Sequence, residues 1–336
     1  MADYSFPTTA ILGAGSLGTS LARLMAPKME SICLVGNEPD VVDGISANHR
    51  NPKYLVDVEL GNNVSATGDH SKIISKPLII FAVPTVAIRS EAEKLKELGL
   101  PTTTPLLTCA KGIERTTGER MSEILRNVFP DNPIGILTGP NHAEEIAKDM
   151  VTLAVVASEN VELAAALQNL FTLPHFRVYT TTDVAGVELG GAVKNVYAIA
   201  AGMAHGLGLG DNASAALVTR ALAEMTRLGM AMGGQSETFA GLSGVGDLIV
   251  TCFSEHSRNH RVGLALGKGQ TLEAAVNSLG MCAEGVPNTL SIYEAARKLN
   301  VRTPIIDAVY AVLYKDMPAA EAMTILLERD PRPETE

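Results

Sequence analysis

Thr8-Thr9-Ala10-Ile11-Leu12-Gly13-Ala14-Gly15-Ser16-Leu17-Gly18 is the stretch that decides the fold. Thr8 to Leu12 are β-branched or apolar, the make-up of a short buried strand. Gly13 to Gly18 spell Gly-x-Gly-x-x-Gly, and Leu17, Leu21, Leu24 and Met25 then recur at helical spacing. Strand, glycine loop and helix in that order predict a dinucleotide-binding turn. Gly13 permits the tight turn, Gly15 lets a pyrophosphate approach the backbone, and Gly18 lets helix pack on strand. Ser16 and Leu17 then open a helix whose N-terminus faces the negative charge.

A second strand, 31–35, ends at Gly36-Asn37-Glu38. A carboxylate about 20 residues past the glycine motif holds a ribose hydroxyl in NAD-binding folds. Glu38 is the candidate, with the alternative that Glu38-Pro39-Asp40 merely starts the next helix. Asn37 stands where a cation would receive a 2′-phosphate, and His49 and Arg50 are the cations that could fold back to do so. NAD and NADP both stay open.

Further strands are expected at 77–83, 105–110, 134–137, 151–157 and 176–179, with helices at 91–98 and 161–171 between them. Such alternation predicts a parallel sheet, with ligands beyond the carboxyl ends of its strands. Polar residues at those ends are therefore candidates: Lys111 before Gly112, and Asn141 and His142 after Gly139-Pro140. The plain alternatives are a surface lysine at 111 and a lining or structural role for His142. Past about residue 182 only helices are expected. Asp211 or Asn212 is expected to cap one with the stripe Leu217, Val218, Ala221, Leu222, Met225, Leu228 and Met232, closed by Gly233-Gly234. Thr271, Thr303-Pro304 and Pro318 start others. The fold class is thus an α/β dinucleotide-binding domain of Rossmann type over 1–183, then an all-α domain for substrate and dimerisation over 184–330. The charged tail 331–336 is expected to be disordered.

Inside the helical part, Gly186-Val187-Glu188-Leu189-Gly190-Gly191-Ala192-Val193-Lys194-Asn195 opens a long apolar run. Gly190 and Gly191 share a helix face with Lys194. Glycine inside a helix costs about 1 kcal/mol relative to alanine, so two beside one lysine imply a close approach to the backbone. One reading fills the cleared space with a ligand on which Lys194 acts. The other is a tight helix crossing with Lys194 snorkelling to water. A second polar group follows: Gly244-Val245-Gly246-Asp247-Leu248, Thr251, and Ser257-Arg258-Asn259. Arg258 offers a fork of donors suited to phosphate, flanked by two neutral donors; an ordinary solvated turn is the alternative.

A formal charge of −10 argues against a general nucleic-acid or membrane surface, so cations that hold a phosphorylated ligand must be gathered locally. The N-terminus lacks the pattern of a secretory signal, and no apolar run is long enough to span a bilayer. Cys33, Cys109, Cys252 and Cys282 are scattered without a Cys-x-x-Cys pair, which points to free thiols in a reducing cytosol and to no metal site.

Taken together these motifs resemble the bacterial type of NAD(P)-dependent glycerol-3-phosphate dehydrogenase. The resemblance rests on the glycine loop, Ala110-Lys111-Gly112, Gly139-Pro140, the helix from Gly186 to Asn195 and Arg220-Ala221-Leu222-Ala223-Glu224-Met225. It continues through Gly244 to Leu248, Ser257-Arg258-Asn259 and Glu284-Gly285. It implies interconversion of dihydroxyacetone phosphate and sn-glycerol 3-phosphate by a cytoplasmic homodimer serving phospholipid synthesis. Lys194 is similar to the family's proton donor and acceptor, with Lys111 and Asp247 beside it. Lys111, Gly139, Asn141, Asp247, Ser257, Arg258 and Asn259 fall at substrate-contact positions, and Asn195 and Thr251 match polar residues of the same pocket. Ser16, Leu17, Lys111, Ala143, Arg258, Cys282 and Glu284 fall where the family touches the dinucleotide. Two departures stand out: Asn141 replaces a usual serine or threonine, and Val35-Gly36-Asn37 lacks the usual cation.

Hydride transfer to a ketone leaves alkoxide charge that a proton donor must meet. Lysine is a weak acid, and burial or a second cation is needed to bring its pKa down. The expectation is that Lys111 and Arg258 converge on Lys194, with Lys111 polarising the carbonyl, Asp247 placing the ammonium groups and Arg258 clamping phosphate. Two rivals are a reductase of 2-oxo or 3-hydroxy acids, and a dinucleotide-sensing regulator with no activity.

Overall fold

The strand β1 (Thr8–Leu12) is buried from Thr9 onward, so it needs neighbours on both edges and cover on both faces. A computed structural model describing residues 4–280, 282–328 and 333–334 supplies them. Strands β2 (Ser31–Val35), β3 (Val64–Thr67), β4 (Ile79–Phe81), β5 (Leu106–Thr108), β6 (Ile134–Thr138), β7 (Thr152–Ala157) and β8 (Phe176–Thr181) join β1 in one sheet. Its order is β3-β2-β1-β4-β5-β6-β7-β8. The order reverses between β1 and β4, and a crevice opens there beyond the strands' carboxyl ends. Separate apolar clusters cover the two faces, one around Ile11, Leu21 and Ile80, the other around Leu12, Phe81 and Leu106.

Two sequence expectations for the sheet need correction. It is not wholly parallel: β6 and β7 pair antiparallel. Only the short helix Ala143–Ile146 lies between them, with no full-length helix to carry a crossover. The edge strand β3 was also unforeseen, because Val-Ser-Ala-Thr is short, half polar and buried only at its two ends. Of the expected disordered tail 331–336, all but 333–334 lies outside the described residues.

From Val184 onward the described residues form helices and turns. The helix Val184–Gly206 is mostly apolar and is buried around nearly its whole circumference, Glu188, Lys194 and Asn195 included. Asp183 caps it, accepting from Gly186 N at 2.9 Å, and its other oxygen accepts from Gln235 N and Thr238 Oγ1. Buried Glu188 ties it to the sheet side, accepting from Ser122 N at 2.7 Å and from Arg120 Nη1 at 2.8 Å. Along its other end, Gly202 and Gly206 meet Gly263 and Gly267 of the helix Arg258–Gly267. A Cβ on Gly202 would fall 2.1 Å from His260 O, and one on Gly263 would fall 2.0 Å from Ile199 O. The two backbones therefore touch directly, which fixes Ser257-Arg258-Asn259 relative to Lys194 and Asn195.

The helix Gly210–Ala231 begins one residue before the expected cap, with Leu209 at that position. Asp211 lies within its first turn, where a carboxylate favours the positive end of the dipole. Thr271 caps the helix Leu272–Asn277 as expected, accepting from Ala274 N.

Candidate active site

Each glycine of the first loop has its own reason to lack a side chain. Gly13 has φ +108 and its Cβ would meet Ala82 O at 2.7 Å. Gly18 would place a Cβ 1.8 Å from Gly13 O, so it packs helix on strand and does not line the crevice. Gly15 has nothing within 4 Å of that position. Its open backbone precedes the helix Ser16–Met25, whose N-terminus carries no side-chain cap. Free N–H groups at an unobstructed helix start fit a pyrophosphate. The crevice continues from here as a cleft of about 610 Å³ between sheet and helices, within the size of small-ligand sites. Ser16, Leu17, Asn37, Glu38, Lys111, Asn141, Ala143, Lys194, Asn195, Thr251, Ser257, Arg258, Asn259, Cys282 and Glu284 all line it, as does His142.

At the centre, one carboxylate holds two ammonium groups. Lys194 Nζ donates to Asp247 Oδ1 at 2.5 Å, and Lys111 Nζ donates to Asp247 Oδ2 at 2.9 Å. Asp247 is 1% exposed and Lys194 4%, so Lys194 does not snorkel to water. Burial alone would raise the Asp247 carboxyl, but the Lys111 and Lys194 charges outweigh it and hold the group below its usual value. Burial pushes Lys194 the other way, down to about 8, with Lys111 adding to the shift and Asp247 opposing it. The sequence expectation placed Arg258 beside these lysines as well. It lines the same cleft, yet its charge acts on Glu284 and Cys282, and the second cation on Lys194 is Lys111.

Donor bookkeeping separates the lysines. An ammonium has three N–H donors. Lys111 gives its donors to Gly139 O at 3.0 Å, Asn141 Oδ1 at 2.8 Å and Asp247 Oδ2. Lys194 gives two, to Asp247 and to Thr251 Oγ1 at 2.6 Å, and keeps one beside the cleft. Asn141 thus holds Lys111 through its side-chain oxygen. Gly139 contributes its carbonyl from a left-handed turn, φ +127, without lining the cleft itself. Asp247 likewise stands behind the ammonium groups rather than on the cleft wall.

The space cleared by Gly190 and Gly191 is filled by protein, not by a ligand. A Cβ on Gly190 would fall 2.4 Å from Ser243 O, and one on Gly191 would meet Thr138 Oγ1 at 3.0 Å and Lys111 Cγ at 3.3 Å. The glycines let the stem of Lys111 lie against the helix that carries Lys194.

Around this centre an amide chain locks the walls. Asn195 donates to Lys111 O at 3.4 Å and accepts from Asn259 Nδ2 at 3.0 Å, while Asn259 Oδ1 accepts from Gly285 N at 2.9 Å. Ser257 Oγ caps its helix by accepting from His260 N at 3.2 Å, which leaves its hydroxyl proton for another acceptor. Arg258 is exposed beside it. Burial, then the charges of Lys194 and Lys111, push His142 down to about 4, so its imidazole is neutral. Sequence reasoning missed Asn288, which donates to Lys111 O at 3.0 Å, and Thr85, whose N–H donates to Glu284 Oε1 at 3.2 Å. Thr85 lies just past β4, where the strand-end rule could have found it; nothing in the sequence marked Asn288. Tyr54 also lines the cleft and was not foreseen. Arg50, expected to fold back, instead pairs with Glu59 at 3.1 Å.

A glycine loop at the switch point of the sheet, facing a buried lysine poised near neutral pH, defines a nicotinamide-dinucleotide-dependent oxidoreductase. Comparison with known proteins narrows the class. The model of the NAD-dependent glycerol-3-phosphate dehydrogenase N-terminus matches residues 8–164, and that of the C-terminus matches residues 183–324. The chain belongs to that family. It is 45% identical to an NAD(P)+ glycerol-3-phosphate dehydrogenase of Desulfitobacterium hafniense, over 97% of this chain and 93% of that one. The enzyme of the same name from Enterococcus faecalis is 44% identical, with 97% of each chain covered. A crystal structure of glycerol-3-phosphate dehydrogenase from Coxiella burnetii superposes with a TM-score of 0.93 at 36% identity, covering 96% of this chain and 99% of that one. The protein is an oxidoreductase that interconverts dihydroxyacetone phosphate and glycerol 3-phosphate with NAD(P)(H). Among the described residues no helix is long and apolar enough to cross a membrane, and no His, Cys, Asp and Glu cluster could hold a metal ion.

Proposed function

We propose that Lys194 gives the proton to the carbonyl oxygen during reduction and recovers it during oxidation. One observation carries this reading: Lys194 keeps a donor beside the cleft while every donor of Lys111 is taken up by protein. The bound nicotinamide supplies or accepts the hydride. Lys111 then acts mainly through Asp247, by holding the carboxylate and by lowering the proton affinity of Lys194. Arg258 clamps the substrate phosphate, aided by the free hydroxyl proton of Ser257 and by Asn259. The Gly13 to Gly18 loop takes the pyrophosphate, Glu38 the ribose, and Ala143, Cys282 and Glu284 border the nicotinamide half.

In the same reading, residues 1–183 form the dinucleotide domain and 184–330 the substrate domain. The working form is a cytoplasmic homodimer whose product feeds glycerophospholipid synthesis. Loss of reduced-cofactor absorbance on adding dihydroxyacetone phosphate, run with NADH and NADPH beside 2-oxo acids as competitors, tests the substrate assignment. Preference for a 2-oxo acid sinks it. Light scattering on the purified chain tests the dimer.

A further inference from the structure

The loop that follows the helix Pro39–Asn48 is held to the glycine loop by one side chain with no solvent exposure, Asn51. Its amide donates to Ala14 O and Thr19 Oγ1, both at 2.9 Å. Its carbonyl oxygen accepts from Lys53 N at 3.1 Å and Tyr54 N at 2.9 Å. Gly44 admits the ring of Pro52, since a Cβ there would fall 2.7 Å from Pro52 Cδ. With both ends of Asn51 satisfied, the loop is pre-formed and its two following side chains are aimed at the end of β2.

Both side chains meet Glu38. Lys53 Nζ and Tyr54 OH each donate to its carboxylate, the latter at 2.9 Å. Glu38 and Tyr54 line the cleft. Lys53 retains 50% of its side-chain exposure, so its ammonium is free to exchange partners. Glu38 alone would repel a 2′-phosphate, which carries about −1.5 to −2 charges near neutral pH. A lysine alone would offer a ribose hydroxyl no charged acceptor. Held together they are neutral, and each can serve one ligand.

Resting on the reading that this cleft takes the dinucleotide, we propose that Glu38 and Lys53 form the specificity-determining pair for the adenosine ribose. Glu38 accepts the 2′-hydroxyl of NAD(H). For NADP(H), Lys53 leaves Glu38 and donates to the 2′-phosphate, with Tyr54 OH beside it. The pair replaces the cation absent from Asn37, and allows one site to accept both cofactors.

Isothermal titration of the full chain with NADH and NADPH, and with the fragments ADP and 2′,5′-ADP, tests the pair without any turnover. Lys53→Met should raise the ratio of the NADPH to the NADH dissociation constant about tenfold, the worth of one charge-assisted hydrogen bond. Glu38→Gln should move that ratio the opposite way, and the fragments should follow the same pattern. Both residues are solvent-accessible, and thermal melting checks that each variant folds. A parent that binds both cofactors, with a ratio unmoved by either substitution or moved the same way by both, overturns the selector and leaves the cleft assignment standing. A parent that binds neither cofactor overturns both.

Discussion

Lys194 Nζ lies 2.5 Å from Asp247 Oδ1, inside protein and away from bulk water, while the other oxygen of that carboxylate is taken by Lys111. A buried carboxylate shared between two ammonium groups leaves the trio with one net positive charge. Burial disfavours that charge, and Lys194 is the group that yields.

Removing the amine should therefore stop proton transfer and leave cofactor binding in place. Lys194→Ala is expected to lower turnover about 100- to 10,000-fold, the usual worth of a positioned acid or base. Dinucleotide affinity, measured by titration on the same protein, should change little. Turnover that survives within a few-fold would remove Lys194 from the role.

The two directions of reaction should respond oppositely to pH. In the proposed role reduction needs the ammonium form of Lys194, so its kcat/KM should fall as pH rises through about 8. Oxidation needs the neutral amine, so its kcat/KM should rise over the same interval. Asp247 now favours the charged lysine, and Asp247→Asn should move both limbs to lower pH by at least about one unit. Steady-state rates in both directions across pH 6–10 check this; limbs that stay in place would break the link between the two residues.

Gly15 and Gly18 should separate binding from stability. Gly15 has φ −81 and open space around its Cβ position, so Gly15→Val should melt near the parent temperature yet bind cofactor at least about tenfold more weakly. Gly18→Ala forces a methyl onto Gly13 O and should cost about 1–3 kcal/mol by denaturant unfolding. Equal stability losses in the two variants would contradict the division.

Glu224 should make the fold less stable as pH rises. It is 1% exposed and accepts the backbone N–H groups of Ile305 and Ile306, both at 3.0 Å, at the start of the helix Pro304–Tyr314. Burial is the main cause that raises its pKa from 4.5 to about 7. With the folded value above the unfolded one, the folded chain binds the proton more tightly. The resulting stabilisation is complete below about pH 4.5 and is lost as pH climbs to about 7. Thermal midpoints at pH 5 and pH 8 should accordingly fall further for the parent than for Glu224→Gln. Parallel slopes would rule the contribution out.

Much of this was legible in the chain because it obeys local rules. Gly13, Gly15 and Gly18 announce the loop by spacing, and Lys111 and Asn141 announce themselves by standing at strand ends. What escaped depends on which segments meet after folding. Gly190 and Gly191 declare that something approaches the backbone, but not that it is the stem of Lys111 and the carbonyl of Ser243. Lys53 and Tyr54 have no local signature; a distant contact from Asn51 to Ala14 sets them beside Glu38. The antiparallel β6–β7 pair turns on a connection that holds one short helical turn where another βα unit was expected. Arg258 lines the cleft with both lysines, but charge type alone carries no direction and did not announce its action on Glu284 and Cys282.

The glycine seam between the helices Val184–Gly206 and Arg258–Gly267 leaves natural variation nothing to adjust. Main chain presses on main chain at Gly202 and Gly263, so no exchange of side chains can re-angle the helices without prising them apart. The spacing from the helix that carries Lys194 to the backbone of Arg258 is consequently a fixed gauge. A descendant of this chain that took a longer or shorter substrate would have to change side chains elsewhere along the cleft and keep the gauge itself.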